Sequence, residues 1–224
     1  MNLDILPTDS DIPRERALPV PVLSPPISGV LDLGFPENTP SEGFFSVLDR
    51  RASTYSSSGL SIGQLSALLW HACRQRAPKG AHRSHRASPS AGGLHPVNVV
   101  IQQIDKLDGV FLYDPIAHRL LKIHELEPES QKLVQRAEAC LPCPPATLLW
   151  LVGVPGRTAA KYPSPESLMR LDAGFLAATI SLVATALCLS SVPLGTSGSS
   201  HLKALTEWST LIEPLGGVNI GQQH

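Results

Sequence analysis

The stretch Pro89-Ser90-Ala91-Gly92-Gly93-Leu94-His95-Pro96 decides the reading of this chain. Two glycines beside a serine let backbone N–H groups approach a flat or anionic ligand closely. By composition alone the plainer reading is a tight loop between a helix and a strand. The stretch has neither the G-x-G-x-x-G spacing of a dinucleotide fingerprint nor the G-K-[ST] ending of a P-loop.

Upstream of the loop, Ser61 and Gln64 form a capping box, and Leu65, Leu68, Leu69 and Ala72 follow at helical spacing,. Pro78 and Gly80 are expected to end that helix, and His82 to Pro96 reads as loop. A shorter helix is expected before it, with Phe44, Val47 and Leu48 on one face and Arg50 and Arg51 at its close. Downstream, strand patterns fall at Val97–Ile104, Val110–Tyr113 and Leu120–Ile123, a helix at Glu129–Ala139, and a fully apolar strand at Ala146–Val154,. Ser164-Pro165-Glu166 is a helix start with a cap, a proline and an acid beside the dipole,. That helix is expected to run to about Leu189, with a break at Gly174. A short helix near His201–Leu205 and a strand near Gly217–Ile220 complete the chain. Helices and strands mixed without strict βαβ alternation predict an α+β layer fold.

The chain has 224 residues, 42% apolar and 17% charged, with a net charge of -1. That is enough for one domain with a full core, and it supplies no global field for nucleic acid or an anionic membrane. Residues 1–40 carry eight prolines and read as an extended arm, with the folded domain expected over 41–224,. Met1 to Asp11 lacks a basic n-region, so no signal peptide is expected, and four scattered cysteines read as reduced thiols in a cytoplasm,. Phe175–Leu189 is almost wholly apolar, but at about 15 residues it falls short of the roughly 20 that span a bilayer. It reads as a buried helix. Its run of alanines and Gly174 lets helices approach closely, which suggests a subunit interface.

Arg86-x-x-Pro89-Ser90-Ala91-Gly92-Gly93-Leu94-His95-Pro96 resembles the flavin-contacting loop of the SagB-type, azoline dehydrogenase branch of the FMN-dependent nitroreductase superfamily. Five further pieces agree in order. Leu48-x-x-Arg51-x-Ser53 resembles the phosphate-binding motif, and Leu60-Ser61 through Trp70 resembles the helix after it. Tyr113-Asp114-Pro115 with His118 resembles the hairpin beyond the loop. Lys161-Tyr162 with Leu171-Asp172-Ala173-Gly174 resembles the catalytic dyad and the start of the core helix. Pro193-Leu194-Gly195 resembles the second flavin-contacting loop.

The resemblance implies a mixed central sheet flanked by helices and a homodimer with a long central helix at its seam, binding FMN at the interface. It implies an oxidoreductase that turns thiazoline or oxazoline rings of a ribosomally made precursor peptide into thiazole or oxazole, with a cyclodehydratase as partner. In these terms Arg51 is the candidate for the FMN phosphate, because a guanidinium fork matches phosphate oxygens. Ser53 adds a hydroxyl, and Arg50 is the second choice. Ser90, Ala91, Gly92 and Gly93, with Leu194 and Gly195, would hold the ring system. Lys161 and Tyr162 form the catalytic pair, since aromatisation needs a base for the proton while the flavin takes the hydride. Two other functions share the fold: a nicotinamide-dependent nitro or quinone reductase, and a non-catalytic scaffold of a modification complex.

The remaining signals are weaker. Cys140-Leu141-Pro142-Cys143 lacks the second pair that a zinc site needs, so no metal is expected,. His82, Arg83, His85 and Arg86 read as an exposed basic loop. No G-x-S-x-G elbow supports a Ser-His-Asp triad.

Overall fold

A computed structural model describes residues 26–36, 39–76, 85–124, 127–204 and 211–223. Its centre is a seven-stranded sheet in the order β1-β4-β3-β2-β5-β7-β6. The strands are β1 (Ile27–Asp32), β2 (Val97–Gln102), β3 (Phe111–Asp114), β4 (Arg119–Ile123), β5 (Thr147–Gly153), β6 (Leu189–Leu194) and β7 (Glu213–Gln222). The helices are α1 (Phe44–Arg50), α2 (Ile62–Ala72), α3 (Glu127–Glu138), α4 (Pro155–Ala159), α5 (Pro165–Ala186) and α6 (Ser199–Ala204).

The α+β class is as the sequence predicts, but the sheet is not mixed. Each pairing among the described strands is antiparallel. The reason lies in one crossover. From β5 the chain passes through α4 and α5 and returns in β6, and β7 then inserts between β5 and β6. β5 and β6, which run parallel, are therefore not neighbours.

The central strands are buried on both faces, which explains their unbroken apolar runs,. Side chains alternate between two cores. Val97, Val99, Ile101, Leu149 and Leu151 face α2 and α5, whereas Val100, Leu148, Trp150 and Val152 face the layer holding Leu133 of α3 and Leu202 of α6. The Ser61–Gln64 capping box forms, with both reciprocal bonds present. α2 ends at Ala72, sooner than expected, and Pro78 and Gly80 lie outside the described residues.

α5 is one unbroken helix of 22 residues that passes straight through Gly174. It starts at Pro165 with Glu166 in its first turn, although Ser164 makes no side-chain cap bond. By length and composition it is apolar enough to cross a membrane. Here it lies along the sheet, packed on β6, β7, β2 and α2. Within the single chain one side of it stays uncovered, the side that the sequence reading assigns to a subunit interface. Leu171 and Phe175 are exposed, and so are Gly174 and Ala178, one helical stripe,.

β1 falls inside the stretch read as an arm. Ordered structure thus begins before Ser41, with Ile27–Asp32 paired to β4 along the edge of the sheet. A buried network holds the chain just beyond it. Tyr113 Oη lies 2.8 Å from His118 Nδ1, and His118 Nε2 lies 3.0 Å from Ser66 Oγ. Ser66 Oγ in turn donates to the Gly34 carbonyl at 3.0 Å.

Candidate active site

The Pro89–Pro96 loop is a structured turn. Ser90 is extended, Ala91–Gly93 make one 3-10 turn, and Gly92 and Gly93 both have positive φ, 62° and 68°. This is left-handed backbone that favours glycine. The turn is bolted to the first part of α5 by one carboxylate. Ser90 Oγ donates to Asp172 Oδ2 at 2.5 Å, and the Ala91 N–H donates to Asp172 Oδ1 at 3.1 Å. The His95 N–H closes the loop on Ser90 Oγ at 2.9 Å. Asp172 is buried, and burial raises its carboxyl above the ordinary value, partly offset by Ser90 and Ala91,.

Lys161 and Tyr162 follow the short helix α4 and land on this turn. A Cβ added at Gly92 would sit 3.0 Å from Lys161 Cδ and Nζ and 3.1 Å from Tyr162 Oη. The structure therefore brings Gly92, Lys161 and Tyr162 together, with the glycine leaving the space between loop and dyad open. Lys161 Nζ lies 5.5 Å from the Tyr162 ring centroid. Arg157 of α4 donates to the His95 carbonyl at 3.3 Å, tying the dyad's helix to the same loop.

The other predicted residues sit elsewhere. Arg50 is engaged: it bonds both carboxylate oxygens of Glu42 and donates to the Thr185 carbonyl at 3.2 Å. Arg51 and Ser53 are exposed beyond α1. Thr54, next to them, is fastened to Ser191 of β6 by its N–H at 3.0 Å. Leu194 ends β6 opposite Gly217, and Gly195 beyond it is exposed with open space where a Cβ would be. Asp172 and Thr185 lie on one helix about 20 Å apart along its axis. The loop and dyad thus occupy one end of α5, and Arg50 anchors α1 at the other.

Sequence reasoning passed over Asp172 as an actor, although it stood in a quoted motif. Its signal is a carboxylate between Leu171 and Ala173, where the helix turns apolar, a residue type that is almost never buried without partners,. Cys140 and Cys143 are free thiols after α3, and among the described residues no group of His, Cys, Asp or Glu is placed to hold a metal ion.

Residues 50–222 match the Nitroreductase family, and the chain belongs to that family. Several solved structures share its fold. A protein from Ralstonia eutropha assigned as a nitroreductase matches over 93% of this chain and 98% of its own, at 24% identity and a TM-score of 0.64. The Escherichia coli microcin synthetase McbBCD complex with truncated pro-MccB17 bound matches over 84% of this chain and 76% of its own, at 19% identity and a TM-score of 0.62. A Bacteroides fragilis nitroreductase with bound FMN matches over 82% and 90%, at 12% identity and a TM-score of 0.50. No curated protein matches.

Proposed function

We propose that this chain is an FMN-dependent dehydrogenase that oxidises azoline rings, thiazoline to thiazole or oxazoline to oxazole, in a ribosomally made precursor peptide. The observation that carries this reading is the meeting of Gly92, Lys161 and Tyr162 on a loop pinned by Asp172. A bare, left-handed glycine backbone beside a lysine and a phenol fits a flat ring system that must face a base.

FMN, when bound, accepts the hydride that leaves the azoline ring. The chain's own task is the accompanying proton. Lys161 Nζ or Tyr162 Oη removes it from the neighbouring ring carbon. Ser90 to Gly93, with Leu194 and Gly195, hold the flavin's ring edge through their backbone. Asp172 keeps the first of these loops in place. Arg51 takes the phosphate with Ser53, since Arg50 is already committed to Glu42.

The working unit is a homodimer. Leu171, Gly174, Phe175 and Ala178 leave an apolar stripe exposed on α5, and Phe44, Phe45 and Leu48 of α1 add to it. Such a surface calls for a partner, and a second copy placed along α5 brings the loop end of one chain toward the Arg51 end of the other. The likeness to a synthetase complex that carries a pro-peptide supports a peptide substrate and a partner cyclodehydratase.

The test is the visible spectrum of the purified protein, the mass of the released cofactor, and then incubation with an azoline-bearing peptide in air. The expected results are about one FMN per chain and a peptide lighter by two hydrogens per ring. A colourless protein that refuses added FMN would sink the proposal and leave a scaffold. A yellow protein that reduces nitroaromatics with NADH but leaves the azoline intact would make it a reductase.

A further inference from the structure

Arg86 enters the interior just before the loop. Its Nη1 donates to the Val97 carbonyl at 3.1 Å, and its buried Nε–H has no acceptor among the described residues. Burial pushes its guanidinium down to about 10. A buried cation is costly unless an anion answers it, and the neighbours that feel this charge supply none. The Cys73 thiol is pushed up to about 12 by burial and the Tyr113 phenol is pushed up as well, so both are neutral. Arg157 adds a second positive charge. Asp172 shares the wall of a narrow pocket with Arg86, but its oxygens are taken by Ser90 and Ala91, and burial leaves its carboxyl raised.

Arg86 also borders a cavity of about 350 Å³, walled by Ser88, Ser90, Gly93 and His95. Four of the N–H donors around the loop are already engaged. Ala91 N–H is spent on Asp172, Gly93 N–H on the Ser90 carbonyl at 3.0 Å, Leu94 N–H on the Ala91 carbonyl at 3.3 Å, and His95 N–H on Ser90 Oγ. A phosphate dianion needs several donors. A carboxylate needs one guanidinium fork.

We propose that this cavity is a carboxylate-binding site, with Arg86 as the counter-charge. The site stands whether or not the chain oxidises azolines. The ligand is a small carboxylate or the acidic group of a longer one.

The test is thermal unfolding of the full-length protein as isolated, in acetate, inorganic phosphate or chloride at matched pH and ionic strength. Acetate is expected to raise Tm saturably over chloride, by about 3 to 5 °C at ten times its Kd. Arg86→Gln is expected to abolish that rise, and Arg86→Lys to keep part of it. Where Arg86→Gln does not fold, Ala87→Glu serves instead, because Ala87 lines the same cavity and is exposed. Its tethered carboxylate should raise Tm in chloride and blunt the acetate response. Comparing acetate with a short peptide ending in glutamate separates a free carboxylate from an acidic side chain, and stabilisation by either supports the site. An acetate rise no larger than chloride's overturns it, as does an undiminished rise in Arg86→Gln or Ala87→Glu. Stabilisation by phosphate without acetate overturns the assignment of carboxylate. So does loss of the acetate rise on saturation with FMN but not with riboflavin, which would give Arg86 to the cofactor's phosphate.

Discussion

The two ends of α5 are built differently. At the Asp172 end, a loop is fixed by a buried carboxylate and three hydrogen bonds, with the Lys161–Tyr162 pair resting on its glycine. At the Thr185 end, α1 is held through Arg50 and Glu42 on the surface, and Arg51 and Ser53 stand in solvent. One end is preorganised before any ligand arrives. The other presents charge that a ligand or a second chain must order. Chemistry demands fixed geometry more strictly than capture of a phosphate does, so under the proposed function reaction belongs at the first end and anchoring at the second.

That contrast can be broken at either end. The largest effect is expected from Lys161→Ala: azoline turnover falls by about 10²- to 10⁴-fold with FMN still bound. Loss of FMN in that variant, read from its visible spectrum, would move Lys161 to the binding side. Asp172→Asn comes next. It keeps the shape but loses an acceptor for Ser90 or Ala91, at a cost of about 1 to 3 kcal/mol in unfolding experiments, and the loosened loop lowers turnover. It also tests a sign. Burial raises the Asp172 carboxyl, so its ionisation opposes folding, and stability is lost as pH rises through its folded pKa,. The asparagine variant should lack that loss in the acid range; an unchanged profile would mean that Asp172 is not the group titrating. The smallest effect is expected from Arg51→Ala, which weakens FMN binding by about tenfold, the worth of one exposed charge-assisted contact, and makes the remaining binding less sensitive to salt. Titration by fluorescence quenching checks it, and unchanged affinity would remove Arg51 from the phosphate site.

Much of this was legible in the sequence, for reasons that differ by element. The apolar run at Ala146–Val154 could only be a strand covered on both faces, and the Ser61–Gln64 box names its helix by local chemistry alone. The Ser90–Gly93 loop announced itself by its glycines, and Lys161-Tyr162 by likeness to a motif. β1 and β6 were not legible. Ile27–Asp32 is a mostly exposed edge strand with Gly29 inside it and prolines before it, and Leu189–Leu194 contains Pro193 and two serines. Their hydrogen-bond partners lie far along the chain in β4 and β7, so nothing local marks them,. Asp172 belongs to the same group: its role exists only because the fold brings residue 90 to residue 172. The burial of Arg86 was hidden likewise, since a basic loop in the sequence reads as solvated.

The Tyr113–His118–Ser66 network has a consequence in proton linkage. Ser66 spends its hydroxyl hydrogen on Gly34, so toward His118 it can only accept. The imidazole must then carry its proton on Nε2, leaving Nδ1 to accept from Tyr113,. The neutral ring is the form the fold selects, and burial with the nearby Arg74 charge lowers its pKa despite the Gly34 carbonyl. Its contribution is therefore present above the ordinary histidine value and is lost as pH falls through the folded pKa. Acid acts where the chain leaves β1, and hydrogen exchange at Leu33, whose N–H donates to the His118 carbonyl, should quicken below pH ~6 relative to the core of β5 once intrinsic rates are removed. Equal protection at both sites across that range would show that the ring's proton has no hold on the edge strand.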